Sequence, residues 1–137
     1  MLKTKIAVFV SGGGTNFEAL INAQENGKIP HGEIVLMVSS SKTAYALKRA
    51  ENHGIKSVVC SKKELGSQES FEEEILKNLE ENDIQLIVLA GFMSILSKEF
   101  TKKYENRIIN IHPSLIPSFC GEDFYGLHVH AADLKTG

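Results

Sequence analysis

The chain has 137 residues, of which 42% are hydrophobic and 23% are charged, with a formal net charge of −2 at pH 7. This length suits one domain with a proper core, and the composition is typical of a globular protein. The near-neutral charge gives no reason to expect a nucleic acid or an anionic membrane as a partner. Cys60 and Cys120 have neither metal-binding nor redox spacing, which predicts two reduced thiols.

The amino terminus resembles a secretory signal only superficially. Lys3 and Lys5 precede the apolar residues 6–10, but this run is too short for a signal and a glycine-rich turn follows it. No apolar run reaches membrane-spanning length. We therefore expect a cytoplasmic protein without a membrane partner.

Residues 6–10 predict a strand buried on both faces, and Ser-Gly-Gly-Gly-Thr-Asn follows at residues 11–16. Thr15 and Glu18 have the spacing of a capping box that opens a helix. Glycines between a strand and a helix N-terminus let backbone amides approach a ligand, and the helix dipole favours an anion. Phe17 stands where a dinucleotide-binding pattern has its third glycine, so we expect a single phosphate group here.

Apolar runs and helical patterns then alternate along the chain. Further strands are predicted at residues 34–38, 57–60 and 86–90. Helices are predicted along Ala44, Leu47 and Ala50, from a capping box of Ser70 and Glu73 to about Glu81, after Ser97, and over residues 127–135. Residues 65–68 predict a polar loop. The glutamates near Ser70 predict a solvated helix face without a function.

The stretch over residues 108–117 carries the strongest chemical signal. Ile108, Ile109 and Ile111 predict a short buried strand that Pro113 ends. Asn110 and His112 are two residues apart, which places them on one face of a strand. An imidazole exchanges a proton near neutral pH, and an amide can donate to a developing oxyanion. The alternative for this pair taken alone is a capped strand end without chemistry.

The alternation predicts an α/β fold with a doubly wound, mainly parallel, Rossmann-like sheet. In the common strand order 3-2-1-4-5, ligands bind at the carboxyl ends of the central strands. Loops 11–16, 91–96 and 110–114 would meet there, which favours a catalytic role for Asn110 and His112. Phe92 and Met93 are either core residues or an apolar wall for a flat ligand.

A histidine pair near the carboxyl end, His128 and His130, does not predict a metal site. Residues at i and i+2 do not share a helix face, so surface or packing roles are expected for both side chains.

Three motifs together resemble the phosphoribosylglycinamide formyltransferase family: Ser-Gly-Gly-Gly-Thr-Asn at 11–16, Ala-Gly-Phe-Met-Ser-Ile-Leu at 90–96, and Asn-Ile-His-Pro-Ser-Leu-Ile-Pro at 110–117. The three in this order are strongly specific, and the likeness runs over residues 6–137. It implies one formyltransferase domain over residues 1–137 that lacks the family's C-terminal part. Family members continue into a His-Gly-x-Ser-Val-His strand and an Asp-containing loop. We therefore expect an incomplete enzyme without normal turnover.

The resemblance implies formyl transfer from 10-formyltetrahydrofolate to the amine of glycinamide ribonucleotide in purine biosynthesis, without a metal. It makes His112 the general acid–base and Asn110 the oxyanion donor. It assigns the substrate phosphate to Gly13, Gly14, Thr15 and Asn16. It assigns the folate to Gln68, Met93, Ser94, Ile95, Leu96 and Asn110. The implied partners are these small molecules, with no nucleic acid, and the implied state is a monomer or a homodimer.

Two departures from the family pattern concern folate affinity: Ser94 and Gln68 stand where some members have arginine. Other formyl-folate enzymes, methionyl-tRNA formyltransferase and formyltetrahydrofolate deformylase, are an alternative. The glycine motif and Pro113 argue against both. A third interpretation is a phosphate-binding module without chemistry, which the absence of the family's Asp-containing loop favours.

Overall fold

The structure, a computed structural model, describes residues 3–111 of the chain. Strands and helices alternate along this part, as the hydrophobic pattern predicts, except that two helices lie between the third and fourth strands. The elements in order are β1 (Thr4–Val10), α1 (Thr15–Glu25), β2 (Gly32–Ser39), α2 (Ala46–Asn52), β3 (Lys56–Val59), α3 (Lys62–Leu65), α4 (Gln68–Glu81), β4 (Leu86–Leu89), α5 (Lys98–Lys103) and β5 (Ile108–Asn110).

The strands form one sheet in the order β3-β2-β1-β4-β5, and every pair is parallel. This confirms the doubly wound α/β fold and the strand order expected from the sequence. The order reverses between β1 and β4, because β2 and β3 extend one side of the sheet and β5 the other. The crevice for a ligand is therefore expected at the carboxyl ends of β1 and β4.

Two apolar layers cover the sheet, one on each face. Alternate residues of β1 belong to different layers. Val8 and Val10 pack with Phe17 and Ile21 of α1. Ala7 and Phe9 face the layer of α4 and α5, and belong to a cluster that includes Phe71, Ile75, Leu79 and Phe100. Burial on both faces explains why β1 is a continuous apolar run rather than an alternating one.

Two predicted helix starts are wrong. Helix α1 has Gly14 as its N-cap in a left-handed conformation, with no side-chain cap, so Thr15 does not form a capping box with Glu18. Helix α4 begins at Gln68, and its cap is Ser67, whose side chain accepts from the amide of Ser70. Neither true cap follows the capping-box pattern, because Gly14 has no side chain and the residue three positions after Ser67 is Ser70 rather than Glu or Gln.

Two further boundaries differ from the expectation. Ala44 precedes α2, whose buried residues are Ala46 and Ala50. The predicted polar loop at residues 65–68 contains the end of α3 and the start of α4, separated by Gly66 with a φ of 92°. The cap of Ser97 on α5 and the strand from Ile108 are confirmed.

His112, Pro113, Cys120 and the helix predicted over residues 127–135, with His128 and His130, lie outside the described residues. Within residues 3–111, none of the helices is long and apolar enough to cross a membrane.

Candidate functional site

The loops after β1 and β4 meet at the carboxyl edge of the sheet, as predicted. We call residues 11–16 the glycine loop and residues 91–96 the shelf loop. The backbone amide of Met93 donates to Ser11 Oγ at 2.7 Å, and Ser40 Oγ donates to the same oxygen at 2.6 Å. Ser11 therefore joins the loops that follow β1, β2 and β4.

The glycine loop approaches helix α2 closely at Gly14. This residue has a φ of +81°, and a Cβ at this position would lie 2.7 Å from Cβ of Ala46. Only glycine meets both conditions without strain. Thr15 and Asn16 form the first turn of α1, where backbone amides have no intrahelical acceptor and the helix dipole favours negative charge. The loop has the features of an anion site.

Arg49 of α2 holds the glycine loop through its backbone. Its Nε donates to the carbonyl oxygen of Gly13 at 2.7 Å, and its guanidinium lies 5.0 Å from the ring centre of Tyr45. The bond from Arg49 supplies the carbonyl oxygen of Gly13 with a donor from the protein. A positive charge adjoining the loop also adds to the field that attracts an anion.

A charged cluster links α1 to α2 beside the glycine loop. Glu18 accepts from Arg49 at 3.4 Å and lies 2.8 Å from Nε2 of His53, whose Nδ1 is 3.2 Å from Glu25. The hydrogen bond with Glu18 raises the pKa of His53, and Glu25 adds to this, against an opposing effect of burial. The cluster thus offsets the negative charge of Glu18 near the helix N-terminus.

The shelf loop exposes two large apolar side chains. Met93 is 82% exposed and Ile95 is 80% exposed, whereas Ser94 and Leu96 are half-buried. Phe92 packs edge-on against Phe9 of β1, with ring centres 5.2 Å apart. The loop therefore anchors one aromatic residue in the core and presents Met93 and Ile95 outward, which suits a flat apolar ligand.

Side chains of helix α4 form hydrogen bonds to the shelf loop and to Ser97, which follows it. The carboxylate of Glu72 accepts from Gln68 Nε2, from the amide of Ser97 and from Ser97 Oγ, each at 2.6 Å. Gln68 Nε2 also donates to the carbonyl of Ile95 at 2.8 Å. The glutamates of this helix are mostly exposed, as expected, but Glu72 is an exception at 9% exposed.

Asn110 ends β5 and is half-buried beside Leu89, the last residue of β4. The next amide, that of Ile111, donates to the carbonyl of Leu89 at 3.1 Å. Asn110 therefore lies next to the strand from which the shelf loop departs. His112 lies outside the described residues, so its position relative to Asn110 stays a prediction.

Three residues of this region were not singled out from the sequence. Ser11 was noted only as part of the glycine motif, and its bonds to two other loops depend on the strand order. Arg49 was not considered. The signal was the predicted strand order, because a helix that follows β2 packs near the loop after β1. The signal for Glu72 was its position next to Phe71, on the edge of the apolar stripe of α4.

Other features lie away from this edge. An apolar cavity of about 130 Å³ opens at the amino ends of the strands, lined by residues that include Thr4, Gly32 and Leu86. Cys60 is buried, which raises the pKa of its thiol to about 11 and keeps it protonated. The described residues contain no cluster of three side chains suited to a metal ion.

Comparisons with known proteins agree with the fold. The sequence profile of a family described as formyl transferase matches residues 4–137. The chain is 46% identical over 135 residues to the trifunctional purine biosynthetic protein adenosine-3 of Gallus gallus, covering 98% of this chain and 13% of that protein. It is 38% identical over 133 residues to the phosphoribosylglycinamide formyltransferase of Haemophilus influenzae, covering 97% of this chain and 62% of that protein.

Solved structures give the same result. The phosphoribosylglycinamide formyltransferase of Brucella melitensis superposes with a TM-score of 0.76 at 41% identity, over 96% of this chain and 67% of that one. The Coxiella burnetii enzyme of the same name gives a TM-score of 0.76 at 42% identity, over 84% and 54%. The chain thus spans less than two thirds of the curated relatives named above. It belongs to the formyl transferase family, in the group of phosphoribosylglycinamide formyltransferases.

Proposed function

We propose that the full-length protein transfers the formyl group of 10-formyltetrahydrofolate to the amine of N1-(5-phospho-D-ribosyl)glycinamide, a step of purine biosynthesis. The observation that carries this proposal is the contact between Ser11 and Met93. This contact sets an anion site and an apolar shelf side by side, next to Asn110. The reaction needs such a pair, because one reactant carries a phosphate and the other a flat pterin.

The glycine loop would bind the phosphate of the ribonucleotide. Amides of Gly13, Gly14, Thr15 and Asn16 are the proposed donors, with the dipole of α1 behind them. The conformation of Gly14 and the first turn of α1 support this assignment. The absence of the third glycine of the dinucleotide-binding pattern agrees with this assignment, because the ribonucleotide carries a single phosphate.

The shelf loop would bind the folate. Met93, Ser94, Ile95 and Leu96 are the proposed contacts, and the exposure of Met93 and Ile95 supports an apolar platform. Gln68 remains a proposed folate contact, through the oxygen of its side-chain amide. Both acceptors of its amide nitrogen belong to the protein, so only its oxygen is left for a ligand.

Formyl transfer forms a bond from the ribonucleotide amine to the formyl carbon and breaks the bond from that carbon to the folate nitrogen. Negative charge develops on the formyl oxygen, and Asn110 is proposed to donate a hydrogen bond to it. The amine must lose a proton and the folate nitrogen must gain one. His112 is proposed to carry this proton, because an imidazole exchanges protons near neutral pH.

The alternative formyl-folate enzymes and the binding module without chemistry gain no support from the relatives reported above. A direct assay of the full-length protein separates them. With formyl donor supplied, we expect formylation of glycinamide ribonucleotide, and no formylation of methionyl-tRNA. Release of formate without an acceptor would favour a deformylase. Binding of the ribonucleotide without any transfer would favour the binding module.

Substitutions in the full-length protein test the two catalytic assignments. Asn110→Ala should lower kcat by about 100-fold, since an oxyanion donor contributes roughly 3 kcal/mol at the transition state. His112→Ala should lower it by about 100-fold or more. The affinity for the ribonucleotide, measured by calorimetry, should stay within about twofold in both variants. Unchanged turnover of the His112 variant would contradict its proposed role.

A further inference from the structure

Glu72 stands out as a buried carboxylate on a helix whose other acidic residues are less buried. Its side chain accepts three hydrogen bonds, from Gln68 Nε2 and from the amide and hydroxyl of Ser97. A carboxylate removed from water is costly unless such donors surround it. The three bonds satisfy it, so the residue is built into the fold rather than left on the surface.

Helix capping does not explain this arrangement. Ser97 caps α5 by accepting from the amide of Phe100 at 3.2 Å, a bond that does not involve Glu72. Ser61 and Ser67 cap α3 and α4 in the same way with their own side chains. A serine suffices to start each of these helices, so the buried acid must serve another purpose.

The bonds of Glu72 lead to the shelf loop. Gln68, held by Glu72, reaches the carbonyl of Ile95, and Ser97 follows the loop directly. At the other end, Ser11 holds the amide of Met93. The backbone of the loop is therefore fastened at Met93, Ile95 and Ser97. The side chains of Met93 and Ile95 remain more than three quarters exposed.

We propose that Glu72 is a positioning residue of the folate site: through Gln68 and Ser97 it fixes the shelf loop so that Met93 and Ile95 face the ligand. This inference rests on the proposed function, since it takes the shelf loop as the folate-binding surface. A fixed loop presents an apolar platform without paying the ordering entropy when the ligand binds. Glu72 acts through the loop and does not touch the reactants.

The chemistry of the contact requires an acceptor at this position. The three donors are an amide nitrogen, a backbone N–H and a hydroxyl, and a carboxylate accepts from all of them. In Glu72→Gln the side chain is neutral and its NH₂ group cannot accept a hydrogen bond. At the oxygen shared by Gln68 and the Ser97 amide it would leave both donors unsatisfied, and at the other oxygen it would reverse the bond with Ser97 Oγ; in either case charge-assisted bonds are weakened. Glu72→Asp keeps the charge and shortens the side chain by one methylene, so it should retain part of the effect.

The test compares Glu72→Gln with Glu73→Gln in the full-length protein. Glu73 is the adjacent residue of α4, is exposed, and loses the same charge. For Glu72→Gln we expect KM for the formyl donor to rise about tenfold, with KM for the ribonucleotide and kcat within about twofold. Glu72→Asp should give an intermediate KM, and Glu73→Gln should match the wild type.

Amide hydrogen exchange gives a second readout that does not need activity. The amides of Met93 and Ser97 should exchange about tenfold faster in Glu72→Gln than in Glu73→Gln. Unchanged exchange would overturn the proposal even if the protein transfers formyl groups. Faster exchange in a protein with no formyl transfer would support the positioning role and refute the proposed function instead.

Two further outcomes complete the test. Faster exchange with an unchanged KM for the formyl donor, in an active enzyme, would overturn the proposal, because the loop would then not bind folate. If Glu72→Gln fails to fold, Gln68→Met replaces it, since this change removes the bond to Ile95 and leaves those of Ser97 to Glu72. An unchanged donor KM in Gln68→Met would also overturn the proposal.

Discussion

The glycine loop and the shelf loop lie side by side at one edge of the sheet, yet they are held in different ways. The glycine loop, which is proposed to bind a phosphate through its backbone, is shaped by close packing, with Gly14 against Ala46. The shelf loop offers side chains, and hydrogen bonds from Ser11 and α4 hold its backbone. Ser11 is the one described side chain that joins the two loops directly.

The difference follows from what each loop must leave free. Backbone amides that bind an anion must stay accessible, so the side chains of the glycine loop are small. The loop is supported by the packing of Gly14 against Ala46 and by the hydrogen bond from Arg49 to the carbonyl of Gly13. A loop that presents apolar side chains has its backbone polar groups to satisfy. Here Gln68 supplies a donor, and Ser11 and Glu72 supply acceptors, for the loop and for Ser97 that follows it. Steric changes should therefore damage the first loop most, and hydrogen-bond changes the second.

The largest effect is expected for Gly14→Ala. A residue with a Cβ is strained at a φ of +81°, and the added carbon would lie 2.7 Å from Ala46. The free energy of unfolding should fall by about 2–4 kcal/mol. Gly12→Ala is the matched control, because nothing lies within 4 Å of a Cβ there. Urea unfolding of both variants checks this, and equal stability would show that sterics do not shape the loop.

Ser11→Ala should have the next largest effect, since it removes the acceptor shared by Ser40 and Met93. The bond to the Met93 amide is exposed, so its loss should cost only about 0.5–1.5 kcal/mol. Because Ser11 joins both loops, the dissociation constants of ribonucleotide and folate should both rise, each by roughly fivefold. Ser57→Ala, an exposed serine of β3, is the control. An effect on one ligand alone would mean that Ser11 supports only one of the loops.

Arg49→Gln should weaken the glycine loop selectively. The change breaks the bond to the carbonyl of Gly13 and the ion pair with Glu18, at a cost of about 1 kcal/mol. Calorimetry should show weaker ribonucleotide binding by about fivefold and unchanged folate binding. Lys48→Gln removes the same charge from the exposed face of α2. If it weakens binding equally, charge alone and not the contact with Gly13 is responsible.

The smallest effect concerns pH and the cluster beside the glycine loop. Because Glu18 raises the pKa of His53 above its usual 6.5, this contribution to stability is complete below pH 6.5 and is lost as pH rises through the raised pKa. The partly exposed side chains keep the effect small. Urea unfolding across this range should show it in the wild type. In Glu18→Gln the loss should shrink, and an equal loss would assign it to another group.

Much of the fold could be predicted because it depends on local patterns. Continuous apolar runs, such as residues 6–10 of β1, identify buried parallel strands. Right-handed crossovers then restrict the strand order. Helix caps were harder to predict. Near the start of α4 the capping-box spacing fits Ser70 and Glu73, and only the folded chain shows that Ser67 accepts the helix amide.

The sequence by itself determined the strand order, the family, and the motifs at residues 11–16, 91–96 and Asn110, because period, spacing and residue type are local properties. Only the tertiary structure decided which side chains hold those motifs. Ser11, Arg49 and Glu72 act on residues that are 82, 36 and 25 positions away along the chain, respectively. Contacts over such separations exist only once the helices have packed against the sheet, and no local pattern encodes them.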